Sequence, residues 1–405
     1  MEAEALERAA DEPGEYEMLG LPIGAEFDLI LAVCGDVGRA ILCDRIMERL
    51  RWLHAHAADR IVPSVKRMAI LGATGYTGGL VVAEARAQGL PLRLVGRRRD
   101  ALDALAAAGD EVRVADASDE SALRAAFDGA FAVISCAGPF LRLGTKPIEA
   151  AVAVGAHYVD TSGEQEFARL VYERFADAPV AVLTSFGFDY VPGDLAARLA
   201  AAELEEPLDE VIAAYSVRRM ATSAGTRRTL GSVMGQEVAA WEDGLVPSRF
   251  GATTRRIRFP YGEATVVEWG GTEPLTVPRH TRVHRVRSYL RAPRVAALGG
   301  RVSKIGAPLV RAAARGSGGP SERQRQRFEF VVVAEARSGA QGRRATLSGS
   351  DPYGLTARLV VTAVIALRGG EVSATGALAP AQAFEPTQLV ERLAPYLRVE
   401  SVGSL

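Results

Sequence analysis

The feature that most restricts the fold of this 405-residue chain is a glycine-rich segment between an apolar run and a helical pattern. The run begins at Met68 and predicts a buried strand, and Val81, Val82 and Ala85 predict a helix after the glycines. Glycines in such a strand–turn–helix unit allow a tight turn, a close approach of backbone N–H groups to a pyrophosphate, and close packing of helix on strand. The spacing is G-x-x-G-x-x-G, and the residues predicted to contact a dinucleotide are Gly72, Ala73, Thr74, Gly75, Tyr76, Thr77 and Gly78.

Short apolar runs alternate with Ala- and Leu-rich helical stretches from Lys66 to Val159. Strands separated by helical segments of about 10–15 residues indicate βαβ units and hence a parallel sheet. After about Val191 the runs become longer and partly alternating, and a short helix is expected at Gly231–Asp243. We therefore predict an α/β chain: an N-terminal Rossmann domain with a doubly wound parallel sheet, then an α+β domain with a mostly antiparallel sheet.

The same changes of pattern define the predicted segments of the chain. Residues 1–64 contain no chemical motif, and one amphipathic helix is expected there, from about Val37 to Ala57. The predicted segments are an N-terminal extension of unknown role at 1–64, a cofactor-binding Rossmann domain at 65–195, an α+β substrate domain at 196–350, and C-terminal helices at 351–405 that pack back on the Rossmann domain.

The residues after the second predicted strand distinguish the two nicotinamide cofactors. An NAD site places Asp or Glu there, about 20 residues after the glycines, to accept from the ribose 2′-hydroxyl. This chain has Gly96, Arg97 and Arg98 instead. Because guanidinium groups bind a phosphate through charge-assisted hydrogen bonds, the cofactor predicted is NADP(H), with Arg97 and Arg98 at its 2′-phosphate. Asp116, just past the third strand, is expected to contact adenine or, alternatively, to cap a helix.

Two further loops follow predicted strands and contain the other candidate site residues. The small residues Cys136, Ala137, Gly138 and Pro139 follow the fourth strand, where a nicotinamide ribose would lie. The catalytic group is left open. Three residues are candidate proton donors, and each has an alternative structural role, which is helix capping for the two acids and packing for the tyrosine. These candidates are Asp160, Glu164 and Tyr353.

One stretch is strongly basic although the chain as a whole has a net charge of -1. From Pro274 to Ser321 there are ten Arg or Lys residues and no Asp or Glu, with apolar residues interleaved at helical spacing. A basic amphipathic segment of this kind favours docking to an anionic membrane surface or to an acidic carrier protein. The alternative is a solvated lid.

Composition excludes several other classes of protein. Cys34, Cys43 and Cys136 are too few and too scattered for a disulfide framework or a metal cluster, and the five histidines form no metal-ligand motif. No apolar run reaches the ~18 residues needed to cross a bilayer, and the overall charge gives no reason to expect nucleic acid. No metal is therefore predicted, and the predicted location is the cytoplasm, with peripheral membrane attachment as a second possibility.

Several motifs, taken in order, resemble the saccharopine dehydrogenase-like oxidoreductases and especially their trans-acting enoyl reductase branch. After the glycine-rich segment, these are Cys136-Ala-Gly-Pro-Phe140, Tyr158-Val-Asp-Thr-Ser-Gly-Glu164, Gly187-Phe-Asp-Tyr-Val-Pro-Gly-Asp194 and Asp351-Pro-Tyr-Gly-Leu-Thr-Ala357. The resemblance runs from about Lys66 to the C-terminus. It implies a Rossmann domain completed by C-terminal helices, a separate substrate domain, and NADP(H)-linked reduction of C=C or C=N bonds.

Together these observations predict an NADP(H)-dependent oxidoreductase that reduces a C=C bond of a lipid-like or acyl substrate. One alternative is a saccharopine-type imine (C=N) reductase, for which the second domain offers candidate carboxylate-binding residues at Arg218, Arg219, Arg227 and Arg228. The other alternative is a non-catalytic NADP-binding regulatory protein, since no residue stands out as the proton donor.

Overall fold

The computed structural model describes residues 66–218, 237–291 and 318–405. The predictions made for residues 1–64, including the helix from Val37 to Ala57, fall outside the described residues. The same holds for Arg219, Arg227 and Arg228, and for the central part of the basic stretch.

The first sheet has seven strands, all parallel. Its strands are β1 (Met68–Leu71), β2 (Leu92–Gly96), β3 (Glu111–Val114), β4 (Ala132–Ser135), β5 (His157–Asp160), β6 (Ala181–Leu183) and β15 (Gly376–Ala377). They lie in the order β15-β6-β5-β4-β1-β2-β3. This is the doubly wound order, in which the order of the strands reverses between β1 and β4 and leaves a crevice at their carboxyl ends.

Helices cover both faces of this sheet. They are α1 (Tyr76–Ala87), α2 (Arg99–Leu105), α3 (Glu120–Phe127), α4 (Phe140–Leu143), α5 (Thr145–Ala153), α6 (Gln165–Arg174) and, leading to the second sheet, α7 (Val191–Ala201). Side chains of β1 alternate between the faces: Met68 and Ile70 join a core that includes α1, whereas Ala69 and Leu71 join one that includes α3, α5 and α6. Every residue of β1 is buried, as expected for a central parallel strand.

The second sheet has nine strands and is mostly antiparallel. They are β7 (Glu210–Arg218), β8 (Glu237–Glu242), β9 (Leu245–Arg249), β10 (Thr254–Phe259), β11 (Gly262–Glu268), β12 (Arg285–Arg291), β13 (Glu329–Ser338), β14 (Gln341–Ser350) and β16 (Leu397–Ser404). The main order is β10-β11-β12-β7-β13-β14-β16, with β8 and β9 added at β12, and the pair β12–β7 is parallel. The predicted fold class, a Rossmann domain plus an α+β domain with a mostly antiparallel sheet, is confirmed.

The helix predicted at Gly231–Asp243 is wrong for the part that the structure describes. Residues 237–242 form strand β8, which pairs with β9 and β12. Val238 and Ala240 are buried, whereas their neighbours along the strand are more exposed. A short Ala-rich apolar run does not distinguish helix from strand by periodicity, and here pairing with neighbouring strands decides.

The remaining helices complete the two layers. They are α8 (Glu273–Thr276) with a 3-10 turn at Val277–Arg279, α9 (Glu322–Arg325), α10 (Pro352–Arg368), α11 (Pro380–Ala383) and α12 (Pro386–Arg392). Helix α10 packs on α1, where Arg358 forms an ion pair with Glu84 at 2.6 Å. Beyond the helices expected for 351–405, that segment also holds β15 and β16, which pair with β6 in the first sheet and β14 in the second.

Candidate active site

The glycine-rich turn lies at the crevice between β1 and β4. Gly72 has a φ of +80°, in the left-handed region that favours glycine, and its N–H donates to the Val95 carbonyl at 2.9 Å. A Cβ atom on Gly72 would lie 3.1 Å from the backbone carbonyl carbon of Cys136. The loops after β1 and β4 therefore approach each other backbone to backbone, and a side chain at Gly72 would separate them.

The next glycines shape the start of α1. Gly75 is the N-cap and brings no side-chain acceptor to the first-turn N–H groups. A Cβ atom on Gly78 would overlap the carbonyl oxygen of Gly72, so the helix and the turn touch directly. Thr77 lies in the first turn, whereas Ala73 is fully buried and its N–H donates to Val95. The N-terminus of a twelve-residue helix thus opens on a backbone-lined turn, an arrangement suited to a pyrophosphate.

Tyr76 uses its side chain to contact a distant part of the chain. Its hydroxyl donates to the Pro320 carbonyl at 2.6 Å, and its ring meets the Tyr353 ring edge-on at 5.3 Å. Burial raises the pKa of Tyr76 to about 12, although Arg325 acts in the opposite sense. Tyr353, predicted as a possible acid, is only 8% exposed and lies beside the glycine-rich turn. This places the start of α10 next to the start of α1.

Arg97 and Asp116 stand side by side at the ends of β2 and β3. Arg97 is 78% exposed in its side chain, and its Nε lies 4.0 Å from Asp116 Oδ2. Arg98 is also exposed, at the N-cap of α2. The alternative role of Asp116 as a helix cap is wrong: Asp119 caps α3 by accepting from the Ala122 N–H. The structure therefore brings the Arg97 guanidinium and the Asp116 carboxylate together beside the glycine-rich turn, with Arg98 next in sequence.

Glu164 joins the loops that follow β4 and β5. Its carboxylate accepts from the N–H groups of Phe140 and Leu141, both at 2.9 Å. These residues begin α4, directly after Gly138 and Pro139. Glu164 is the N-cap residue of α6 by position, but its side chain makes no capping bond to that helix. The expected cap of the following helix is therefore corrected: the carboxylate caps the helix that follows the β4 loop.

Asp160 accepts hydrogen bonds from two neighbouring loops. It is fully buried at the end of β5 and accepts from the N–H groups of Ser162 and Ser185 and from the Thr184 hydroxyl, at 2.8–2.9 Å. Burial raises the pKa of Asp160 to about 6, against the effect of these donors. It therefore fixes the loops after β5 and β6 to each other, and its oxygens are engaged in doing so.

Cys136 and Ala137 are half-buried at the crevice, whereas Gly138 and Pro139 are exposed there. Burial raises the pKa of the Cys136 thiol to about 12, and the nearby Asp160 carboxylate adds to this effect. The thiol is therefore neutral at physiological pH. Its surroundings favour the interpretation of Cys136 as a small packing residue over a redox role.

A buried polar cluster behind the crevice was missed by the sequence analysis. Glu273 accepts from the Tyr215 hydroxyl at 2.6 Å and from the Ser288 hydroxyl, and the Gly193 N–H donates to Tyr215 Oη at 3.0 Å. Burial raises the pKa of Glu273 to about 7, against the effect of both hydroxyl donors. Trp269 packs between the rings of Tyr190 and Tyr215 at 5.9 and 5.7 Å. A lone acid at the start of a four-residue helix gives no local signal of such an environment.

Gln165 also escaped prediction, although it follows Glu164 directly. Its amide Nε2 donates to the carbonyls of Ala239, at 3.0 Å, and Gly271, and its Oε1 accepts from the Ala239 N–H at 2.7 Å. Ala239 belongs to β8 and Gly271 precedes α8, so this side chain connects the first sheet's α6 to the second sheet.

A family model described as NAD(P)H-binding matches residues 72–204. A human saccharopine dehydrogenase-like oxidoreductase is 30% identical over 152 residues, which cover 32% of this chain and 35% of that protein. The trans-acting enoyl reductase of Mycobacterium leprae is 32% identical over 141 residues, covering 31% of this chain and 33% of that protein. Over this part of its length the chain is similar to the saccharopine dehydrogenase-like oxidoreductases. The match spans about a third of the length of these curated relatives.

A solved structure shows that the shared fold extends over most of the chain. Apo saccharopine dehydrogenase (L-Glu forming) from Saccharomyces cerevisiae superposes with a TM-score of 0.56 at 13% identity, covering 84% of this chain and all of that one. Within the parts of the chain that the structure describes, no group of three or more His, Cys, Asp or Glu side chains could hold a metal ion. Among the same residues, no helix has the length and apolar character required to cross a bilayer.

Proposed function

We propose that this protein is an NADP(H)-dependent reductase of the saccharopine dehydrogenase-like type, acting on a C=C bond of an acyl or lipid-like substrate. The observation that supports the cofactor assignment is Arg97, which occupies the end of β2 where an NAD site carries a carboxylate. Its guanidinium is largely exposed beside the crevice, so it is accessible to a 2′-phosphate.

The residues at the crevice fit a dinucleotide. Gly72 and Gly78 leave no space for side chains at the turn, and the first turn of α1 supplies N–H donors for a pyrophosphate. Arg97 and Arg98 would hold the 2′-phosphate, and the loop from Cys136 to Pro139 would border the nicotinamide ribose. NADPH, when bound, supplies a hydride to the substrate.

The chain's own residues would hold the crevice loops in position around the cofactor and the substrate. Glu164 fixes the start of α4 and Asp160 fixes the loop after β6, so both acids act on the position of crevice loops. Burial raises the pKa of the Cys136 thiol to about 12, so the β4 loop brings no charge to the substrate at this residue. Reduction of a C=C bond needs one proton besides the hydride. We assign the source of that proton to water or to a group of the substrate itself.

The choice of bond draws support from one relative's name. The Mycobacterium leprae protein is a trans-acting enoyl reductase, and an enoyl group is a conjugated C=C bond. The imine alternative has less support in the described residues. Arg218, one of its four candidate carboxylate ligands, lies 3.6 Å from Glu329 and packs over the Tyr261 ring at 5.5 Å.

The cofactor assignment is tested by calorimetric titration with NADPH and NADH. We expect NADPH to bind at least about tenfold more tightly, a difference of ~1.4 kcal/mol. Arg97→Ala should remove most of this preference. Arg99→Ala is the matched control, because Arg99 lies in the same basic turn but pairs with Asp103 at 3.1 Å. Equal affinities of the unaltered protein for both cofactors would overturn the assignment.

The reaction is tested by stopped-flow oxidation of bound NADPH. The probes are a trans-2-enoyl thioester, an imine formed from an α-keto acid and an amine, and a simple ketone. Oxidation by the thioester in a single turnover supports the proposal. Oxidation by the imine alone replaces it with saccharopine-type chemistry. Tight NADPH binding with no oxidation by any of the three supports the non-catalytic alternative.

A further inference from the structure

The pair formed by Arg97 and Asp116 places opposite charges at the same cofactor subsite. Strands β2 and β3 are neighbours with Gly96 opposite Val114, and the Ala115 N–H donates to the Gly96 carbonyl at 3.0 Å. Both side chains leave their strands immediately beyond this point. The acid that an NAD site carries at the end of β2 is thus absent. The carboxylate of Asp116, at the end of β3, lies beside Arg97 instead.

Asp116 is held in a fixed orientation. Its Oδ1 accepts from the Ser118 N–H at 2.8 Å and from the Ser118 hydroxyl at 2.6 Å, and its carbonyl accepts from the Asp119 N–H at 3.0 Å. The Lys146 ammonium donates to the Ser118 carbonyl at 2.6 Å and secures the same turn. Hydrogen bonds from Ser118 lower the pKa of Asp116, with Arg97 adding to the effect, so the group is ionised throughout the neutral range.

A fixed negative charge beside Arg97 acts in opposite senses on the two cofactors. A 2′-phosphate carries nearly two negative charges, so Asp116 repels it and partly neutralises the guanidinium that attracts it. A 2′-hydroxyl is neutral and donates, so a carboxylate can accept from it. We propose that Asp116 is a specificity-determining residue that reduces the preference for NADPH created by Arg97 and allows NADH to bind as well. This inference rests on the proposed binding of NADP(H).

The test is Asp116→Asn, because asparagine keeps the oxygen that accepts from Ser118 and removes only the charge. We expect NADPH to bind about fivefold more tightly and NADH to bind no better, which widens the ratio of the two dissociation constants. The gain should shrink at 0.5 M salt, because both groups are exposed and a Debye length of about 4–5 Å then screens them.

The matched control is Asp103→Asn. Asp103 is a similarly exposed acid that pairs with the neighbouring Arg99 and not with Arg97, so its loss should leave the ratio unchanged. An unchanged ratio in Asp116→Asn, or an equal change for both cofactors, overturns the inference. If Arg97→Ala also leaves the ratio unchanged, the NADP(H) assignment itself has failed. If only Arg97→Ala changes the ratio, the assignment holds and the role of Asp116 is refuted.

Discussion

Gln165 pairs with Ala239 as a neighbouring strand would, donating from its amide to the Ala239 carbonyl and accepting from the Ala239 N–H. The residue before it, Glu164, accepts from the N–H groups of Phe140 and Leu141, which directly follow the β4 loop. Two adjacent side chains therefore connect the crevice on one side and the second sheet on the other. The β4 loop and β8 are therefore held by two consecutive residues at the start of α6.

The first prediction concerns the stability that Gln165 provides. Gln165→Ala removes the side-chain partner of the half-buried backbone groups of Ala239 and of the buried Gly271 carbonyl, and each such loss costs about 1–3 kcal/mol. We expect the free energy of unfolding in urea to fall by about 2–4 kcal/mol. Gln88→Ala is the control, since Gln88 is exposed and its amide only meets Glu84. A loss as small as that of the control would show that water replaces Gln165 at no cost.

The second prediction concerns Glu164 and cofactor affinity. Glu164→Ala removes the acceptor for Phe140 and Leu141, so the loop from Cys136 to Pro139 loses its fixed position. We expect NADPH to bind about tenfold more weakly, equivalent to ~1.4 kcal/mol. Glu164→Gln keeps one acceptor oxygen. In a fluorescence titration its affinity for NADPH should lie between those of Glu164→Ala and the unaltered protein.

The control for this variant is Glu166→Ala. Glu166 lies two residues further along, but its carboxylate is exposed and paired with Arg169. It should bind NADPH as the unaltered protein does. If Glu164→Ala also binds normally, the β4 loop does not need its cap in order to hold a cofactor.

The third prediction follows from Glu273. Its pKa in the folded protein, about 7, lies above its ordinary value of 4.5, so burial favours the protonated form. The corresponding stability is fully present below pH 4.5 and is lost as the pH rises through 7. Glu273→Gln cannot ionise and still accepts from the Tyr215 hydroxyl. We therefore expect it to match the unaltered protein at pH 4.5 and to exceed its stability by about 1–3 kcal/mol at pH 8.5.

Urea unfolding across this pH range measures the difference. Burial also raises the pKa values of Asp160 and Asp189 to about 6, but both residues remain in the variant, so their effects cancel in the comparison. A stability difference that does not depend on pH would show that Glu273 keeps one protonation state across the range.

The limits of sequence reasoning are clear from particular residues. Local patterns predicted the strands β1 to β5, the glycine-rich turn and the position of Arg97 at the end of β2. Periodicity and turn chemistry are properties of neighbouring residues, so the sequence shows them directly. Strands β6 and β15, of three and two residues, carry too little pattern to detect.

The contacts of the acids were not predictable for a different reason. Glu164 satisfies a local rule for capping α6, yet its partners lie 24 and 23 residues earlier in the chain. Glu273 depends on Gly193 and Gly271, where a Cβ atom would overlap its carboxylate oxygens. These environments arise only when the two sheets bring distant loops together. Composition and local spacing therefore do not predict them.

The last prediction concerns the basic stretch from Pro274 to Ser321, which we propose as a docking surface for an anionic membrane. Part of its charge is already neutralised in the fold: Arg282 pairs with Glu206, and Arg287 pairs with Glu242 and Glu268. Arg291 is exposed and packs over the Tyr261 ring at 5.2 Å, which leaves its guanidinium accessible. Docking should therefore depend on Arg291 and on the cations that follow it in sequence, Arg294 and Arg301.

We expect co-sedimentation with anionic but not with neutral vesicles, weakening as salt rises, because exposed charges are screened beyond about 8 Å at physiological ionic strength. Replacing Arg291, Arg294 and Arg301 by Gln should reduce binding by roughly 10- to 150-fold, if each contributes about 0.5–1 kcal/mol near the surface. Arg282→Gln and Arg287→Gln are the matched controls and should bind as before, since their charges are already paired. The affinity for NADPH should not change in any of these variants, because none of the replaced residues is among those proposed to bind the cofactor. Equal sedimentation with anionic and neutral vesicles would show that the acids of the fold, together with solvent, are the only counter-charge this stretch requires.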